Sequence, residues 1–551
     1  MGRSRVITTP QRSRLMASVR QTGTSAELAV RTLVQSLGVK YETRAKDLPG
    51  SPDLVNREQG WAIFVHGCFW HAHQGCKRWK IPRSNRAFWK AKFERNRLRD
   101  RSRIVDLKRL GYSVLVVWAC ELERSENLKK KTLRFLRENN KPSTTSGVHE
   151  EYRWRNRFVL RTVVLPNGKK RSMSIRAENS DRDARSAFDY TYLRDSTRPT
   201  QSSDTTFRFV DQFCGCGGLS LGAEEACRAL GKSFLAVAAF DKDPQCIEVY
   251  RRNFKCDRMF ARDIVELLDG RIGSEPTTIE QTLLEQIGHV DMLLAGPPCQ
   301  GNSDLNNQTR RDDPRNVLYE RVARFVELFS PTHVLVENVP TAIHGKEGAV
   351  QRTIERIRAL EYNVDSGIVD LSAIGVPQRR RRHIVMASRS KRLTIRDIIR
   401  KYGVRRFRTV RWAIGDLKNE TPNNIYTRSS RYSPENKRRI QYLHKRSIFD
   451  LPNKMRPPCH SKGTTYTSMY GRLKMDEPAQ TITSGFCSPG QGRHVHPTQT
   501  RTLTPHEAAR LQFFPDFFDF STVKKRGELA SMIGNAAPMK LSYVFCLEML
   551  S

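Results

Sequence analysis

Gly296-Pro297-Pro298-Cys299-Gln300-Gly301 sets a thiol in a tight turn directly behind the apolar run Val290-Asp291-Met292-Leu293-Leu294-Ala295. That run predicts a buried strand, and the Gly-Pro-Pro behind it can continue neither strand nor helix. A cysteine so placed stands on the rim of a sheet, where parallel α/β folds keep their chemistry. As a thiolate Cys299 would be a nucleophile, whereas a single cysteine taken alone reads as buried packing.

Upstream, Phe209-Val210-Asp211-Gln212 runs into the glycine-rich turn Phe213-Cys214-Gly215-Cys216-Gly217-Gly218 and then a helix. Glycines there let a ligand approach the backbone at the strand's C-terminal end. The Cys214/Cys216 pair has no second Cys or His cluster nearby, which argues against a metal. Ala236-Val237-Ala238-Ala239-Phe240 ends at Asp241, where an acid commonly holds ribose hydroxyls. Asp263, and Glu337-Asn338 behind Val334-Leu335-Val336, repeat this rhythm of apolar strand and then polar residue.

With Cys299 and Glu337 both at strand ends, this half resembles the DNA cytosine-C5 methyltransferases. The motifs run in family order: Phe213-x-Gly215-x-Gly217-Gly218, Pro297-Pro298-Cys299-Gln300, Glu337-Asn338-Val339, Gln378-x-Arg380-x-Arg382 and Gly534-Asn535-Ala536, over roughly residues 205–551. Asp241 stands where Glu is usual, Asn302 where an aromatic is common, and Ala537-Pro538-Met539 replaces Val-Pro-Pro. The resemblance implies S-adenosylmethionine as methyl donor, held by Phe213, Gly215, Gly217, Gly218, Asp241, Asp263, Pro297 and Asn535. It also implies the chemistry. Cys299 adds to C6 of a cytosine flipped out of the duplex, Glu337 supports N3, and Arg382, with Arg380 close by, supports the base. A basic-aromatic stretch, about 390–475, is the expected target-recognition region. Thr504-Pro505-His506-Glu507 predicts a helix start.

The N-terminal third carries different chemistry. Pro52-Asp53 ahead of the apolar run Trp61–His66 resembles metal-dependent nucleases, in which an acid and a strand-end group hold Mg²⁺. His73-x-x-Cys76 has metal-ligand spacing, Cys120 closes the strand Val114–Trp118, and Asp100 lies on a helical stretch that brings a fourth ligand. That set suits tetrahedral Zn²⁺ better than Mg²⁺ or Ca²⁺; a metal-free His/Cys-rich loop is the alternative.

Residues 10–140 as a whole resemble the very-short-patch-repair (Vsr-type) endonucleases. The resemblance rests on Arg12-Ser13-Arg14…Met16, Leu48-Pro49-Gly50-x-Pro52-Asp53, His66-Gly67-Cys68-Phe69-Trp70-His71, Phe88-Trp89…Asp100 and Val117-Trp118-x-Cys120. It implies that Asp53 and the Val65 carbonyl hold Mg²⁺, that His71 acts near the attacking water, and that Glu27 and His66 support them. Zinc would take His73, Cys76, Asp100 and Cys120. Phe69, Trp70 and Trp89 would wedge between base pairs, where ordinary core packing is the competing explanation for each ring.

Composition suits both halves. A formal net charge of +39 over 551 residues, with pI near 10.2, is expected of a chain whose partner is a polyphosphate. The length suits two or more domains, and the 12 cysteines show no secreted-scaffold spacing. No signal peptide or membrane-length apolar run is present, so the expectation is a cytoplasmic, nucleoid-associated protein. Residues 141–204 read as linker around one β-hairpin near Arg157–Gly168.

The expected fold is α/β: a PD-(D/E)xK-like nuclease domain with a zinc site (1–140), then a Rossmann-like methyltransferase with a small target-recognition domain (205–551). The expected function is cytosine-C5 methylation of double-stranded DNA joined to nicking of T·G mismatches left when 5-methylcytosine deaminates. Mismatch-repair proteins are candidate partners. A restriction-modification fusion is the second reading, and a DNA-binding protein with inactive halves the third.

Overall fold

The computed structural model describes residues 23–45, 48–57, 59–82, 84–109, 112–139, 147–177, 181–201, 205–298, 318–344, 348–458 and 468–551. They form two compact units, Met1–Thr144 and Thr145–Ser551. No helix among these residues is long and apolar enough to cross a membrane.

In the first unit, β1 (Glu42–Thr43), β2 (Leu54–Asn56), β3 (Trp61–His66) and β4 (Ser113–Trp118) make a sheet in that order. β1, β2 and β3 pair antiparallel, whereas β3 and β4 are parallel and need a long crossover, which the helix Arg86–Arg109 supplies. β3 reads Trp-Ala-Ile-Phe-Val-His without alternation because it is covered on both faces. Val30, Val34, Leu54, Trp61, Ile63, Leu115, Val117, Leu128 and Leu136 form the core.

The second unit opens with a three-stranded antiparallel sheet, β5 (His149–Arg155), β6 (Phe158–Val164) and β7 (Lys170–Arg176), followed by the helix Ala184–Arg194. This corrects the linker expectation for 141–204. Val148, Val159, Val163, Phe188, Tyr192 and Leu193 belong to the unit's main core, and buried Arg161 donates to Glu225 at 2.7 Å.

Behind it lie β8 (Thr206–Gln212), β9 (Ser233–Asp241), β10 (Cys256–Ala261), β11 (Met292–Ala295), β12 (His333–Asn338), β13 (Asn363–Asp370), β14 (Gln378–Arg379), β15 (Arg381–Ser388) and β16 (Ala479–Gln480). Seven of these form one sheet in the order β10-β9-β8-β11-β12-β15-β13, parallel except where β15 runs against β12 and β13. The chain leaves β8 toward β9 and β10, then returns to β11 on the other side. That reversal opens a crevice at the C-terminal ends of β8 and β11.

The stretch 390–475 divides between two cores. The helices Ile395–Tyr402 and Val410–Ile414 pack into the main core, while a separate small cluster of Ile440, Leu443, Leu451, Tyr470 and Val495 reaches beyond 475. The helix start at Thr504 is as expected: Thr504 caps Pro505–Leu511 and exchanges bonds with Glu507 in a capping box.

Candidate active sites and metal centre

At the open end of β3 and β4 the first unit gathers two groups of ligating side chains. Asp53 extends the β2–β3 ladder, its N–H donating to Ile63 O at 3.0 Å, and its Oδ2 accepts the Val65 N–H at 2.7 Å. Burial pushes the Asp53 carboxyl up to about 6 against the pull of that amide, and the nearby Glu27 charge adds to the rise. The expected neighbours Asp53 and Val65 are thus together, joined through the Val65 amide.

His66, His71 and Asp100 lie close enough for one ligand atom of each to share an ion. His71 stacks on His66 with ring centroids 3.9 Å apart, and His71 Nδ1 lies 2.6 Å from Asp100 Oδ2. Burial and then the charge of His71 hold His66 down to about 3, so its ring is neutral at ordinary pH. Burial works to raise the Asp100 carboxyl, but the hydrogen bond and charge from His71 outweigh it and hold it below the usual range. A histidine fixed by a carboxylate at Nδ1 leaves Nε2 to exchange a proton with a substrate or water.

The second group is Cys68, His73, Cys76 and Cys120, whose ligand atoms all lie within 4.8 Å of one another. Asp100, expected as the fourth zinc ligand, is not among them. The helix Arg86–Arg109 turns it to His71, and Cys68 takes the remaining corner. The spacing Cys68-x4-His73-x2-Cys76 was the signal available for this. The loop folds through left-handed Ala72 and Gly75, and His73 stacks on Trp118 at 4.0 Å. Three sulfurs and one imidazole gathered within 4.8 Å of one another are the donor set that suits tetrahedral Zn²⁺.

Phe69, Trp70 and Trp89 come together, with centroids 5.1–6.3 Å apart, half-buried against each other and against buried Phe93. Lys92 lies over Trp70 and Trp89 at 5.2 and 5.0 Å.

In the second unit the crevice is lined from three strand ends. Behind β8, Phe213 has φ 58°, a costly left-handed conformation for an aromatic residue, and Gly215 and Gly217 also have positive φ. A Cβ on Gly215 would meet nothing within 4 Å, so its backbone is open to a ligand; one on Gly217 would strike Phe254, and one on Gly218 the Ala537 carbonyl. Asp241, at the end of β9, accepts the Gly215 N–H at 2.9 Å, and burial raises its carboxyl. Asp263 caps the turn Ile264–Glu266 through Val265 N–H.

At the end of β12, Glu337 is buried and ion-paired with Arg382 Nε. β15 begins there because it runs antiparallel to β12, with Glu337 opposite Ile384. Asn338 Nδ2 donates to Pro297 O at 3.3 Å, tying this strand end to the Gly-Pro-Pro turn. Cys299 and Gln300 lie outside the described residues, as do Arg12, Ser13, Arg14 and Met16.

Arg380 does not join this group. It is buried and donates to the carbonyls of Ile482 at 2.8 Å, Gly534 at 3.1 Å and Ala536 at 3.2 Å. Its place is to anchor the 534–536 segment. Asn535 is exposed and donates to Ser531 Oγ at 3.2 Å; neighbouring Gly534 admits no side chain, since a Cβ would lie 2.3 Å from Ser484 N.

The model of the C-5 cytosine-specific DNA methylases matches residues 207–550, and that of the DNA mismatch endonuclease Vsr matches residues 4–78. Type II methyltransferase M1.BsuMI of Bacillus subtilis (strain 168) is 45% identical over 365 residues, covering 66% of this chain and 85% of that protein. Type II nicking enzyme V.XorIIP of Xanthomonas oryzae pv. oryzae is 46% identical over 114 residues, 20% of this chain and 83% of its own. Type II nicking enzyme V.NmeAIP of Neisseria meningitidis serogroup A is 35% identical over 133 residues, 24% of this chain and 94% of its own. The chain belongs to the C-5 cytosine-specific DNA methylases and carries, ahead of that domain, one of the DNA mismatch endonuclease Vsr family.

Proposed function

We propose that this chain methylates C5 of cytosine in a specific duplex sequence and nicks the T·G mismatch that deamination of its own product creates. The observation that carries the methyl-transfer half is the buried Glu337–Arg382 pair, set at the C-terminal end of β12, one strand from the sheet's switch point, and tied through Asn338 to the turn that leads to Cys299. S-adenosylmethionine supplies the methyl group. The Gly215 backbone and Asp241 hold it, and Phe213, Gly217, Gly218, Asp263, Pro297 and Asn535 shape the pocket. The Cys299 thiolate adds to C6 of the flipped base, making C5 nucleophilic, while Glu337, oriented by Arg382, supports the base at N3. After transfer the C5 proton leaves and the Cys299 bond breaks.

For nicking, Asp53 and the Val65 carbonyl suit Mg²⁺, an oxygen-seeking ion that lowers the charge on a phosphodiester under attack. His71, oriented by Asp100 and backed by neutral His66 and by Glu27, handles the proton of the attacking water. Cys68, His73, Cys76 and Cys120 hold a structural Zn²⁺, and Phe69, Trp70 and Trp89 part the base pairs at the mismatch. The fold reading is a PD-(D/E)xK-like nuclease domain followed by a Rossmann-like methyltransferase. The expected setting is the cytoplasm, on the nucleoid.

Purified protein is incubated with matched and T·G-mismatched duplexes, with and without S-adenosylmethionine and Mg²⁺. The proposal expects methylation of the matched duplex and a single-strand nick only at the mismatch. Cleavage of both strands of unmodified, fully paired DNA would establish a restriction nuclease instead.

A further inference from the structure

The three-stranded sheet β5–β7 lies within residues 79–206, which neither family model matches. Its inner face is fixed. Arg161 donates to Glu225 at 2.7 Å and to the Tyr543 hydroxyl at 3.1 Å, and Val159 and Val163 enter the core. Strand alternation therefore commits Phe158, Leu160, Thr162 and Val164 to the outer face. The register lays their neighbours beside them in rows: Arg155–Phe158–Arg176, Arg153–Leu160–Ser174, Glu151–Thr162–Ser172 and His149–Val164–Lys170.

This outer face is basic and unusually apolar along its middle strand. Phe158 is 46% exposed, and Arg153, Arg155, Lys170 and Arg176 are all exposed. The single carboxylate, Glu151, is already paired with Arg153 at 2.8 Å. Arg155 and Arg176 meet no carboxylate among the described residues, although they lie two strands apart, about 10 Å. Arg155 and Arg176 thus flank the uncovered Phe158 with no carboxylate to offset them, which favours an anion between them.

We infer that the outer face of β5–β7 is a docking surface for duplex DNA, gripping backbone phosphates beyond the stretch held at the methyltransferase crevice. The charge complementarity is to phosphate, and the arginines sit on a sheet already rigidified from beneath, so little ordering is lost on binding. Phe158 and Leu160 would pack on the sugar edge between the phosphates.

The test uses the full chain and a 40-base-pair duplex of random sequence, with binding followed by fluorescence anisotropy across a salt series. The R155A/R176A double variant should reduce the slope of log affinity against log salt by about 2, one for each lost phosphate contact. F158A should weaken binding severalfold with the slope unchanged. Thermal melts and methyl transfer at saturating DNA should match the parent in both. An unchanged slope in a folded R155A/R176A variant would overturn the inference. So would a variant that loses single-stranded RNA binding while keeping duplex DNA, which would make this an RNA surface.

Discussion

Asp100 lies 2.6 Å from Nδ1 of His71, while the sulfur and imidazole ligands of the neighbouring cluster close around their own centre without it. On the proposed function, this pairing makes Asp100 a positioning residue for His71 and not a zinc ligand. Asp100→Asn should therefore lower nicking roughly 10²–10⁴-fold, by analogy with carboxylate-to-amide changes behind catalytic histidines, and leave zinc content at one per chain. Cys68→Ser should do the reverse, losing zinc and lowering the melting temperature of the first unit. Elemental analysis beside a nicking assay decides; zinc loss in Asp100→Asn with zinc retained in Cys68→Ser would return Asp100 to the ligand set.

Arg161 reaches from β6 into the methyltransferase core, where Glu225 and the face of Phe188 receive it, the latter at 4.8 Å. Arg161→Ala leaves Glu225 with Arg228 as its remaining cation, so the loss should be about 2–4 kcal/mol rather than the full cost of an unpaired buried charge. Denaturant unfolding of the full chain measures it. A change within a few tenths of a kcal/mol would mean that β5–β7 is an appendage.

His506 is held between Glu420 Oε1 at 2.6 Å and Asp516 Oδ1 at 2.9 Å. Burial alone would lower its pKa, but the two carboxylates raise it to about 9. A folded-state pKa above the unfolded value near 6.5 gives stability that is complete below about pH 6.5 and lost as pH rises through about 9. The contribution is on the order of 3 kcal/mol. His506→Gln should therefore melt well below the parent at pH 6 and approach it at pH 9.5. A gap that stays constant across that range would contradict the assignment.

Much of this was legible in the residues. Strand-end polar groups such as Asp241 and Glu337 announce themselves because a buried parallel strand reads as an uninterrupted apolar run before them. What escaped was whatever depended on side-chain direction or long-range contact. Arg380 and Arg382 look alike in sequence, yet residues two apart share a side only while a strand continues, and the step from β14 to β15 separates them. Cys68 joins His73, Cys76 and Cys120 only once the loop folds back. β5 and β7 read as polar linker because their outer residues are Arg, Lys, Glu and Ser, and an inward Arg161 breaks the apolar alternation of β6. The Ile395–Tyr402 helix reads as part of a basic outer region because it is as basic as the residues behind it, yet it buries four of its residues.

The central claim is that one chain carries two separable chemistries, and paired single substitutions in the full protein test it most directly. Cys299→Ala and Asp53→Ala are each assayed for tritiated methyl transfer to matched duplex and for nicking of a T·G duplex. The account predicts that Cys299→Ala nicks normally, transfers no methyl group and forms no adduct with 5-fluorocytosine DNA. Asp53→Ala should methylate normally and leave the mismatch intact. Loss of both activities in either folded variant, or full retention of the activity assigned to the altered residue, would contradict it.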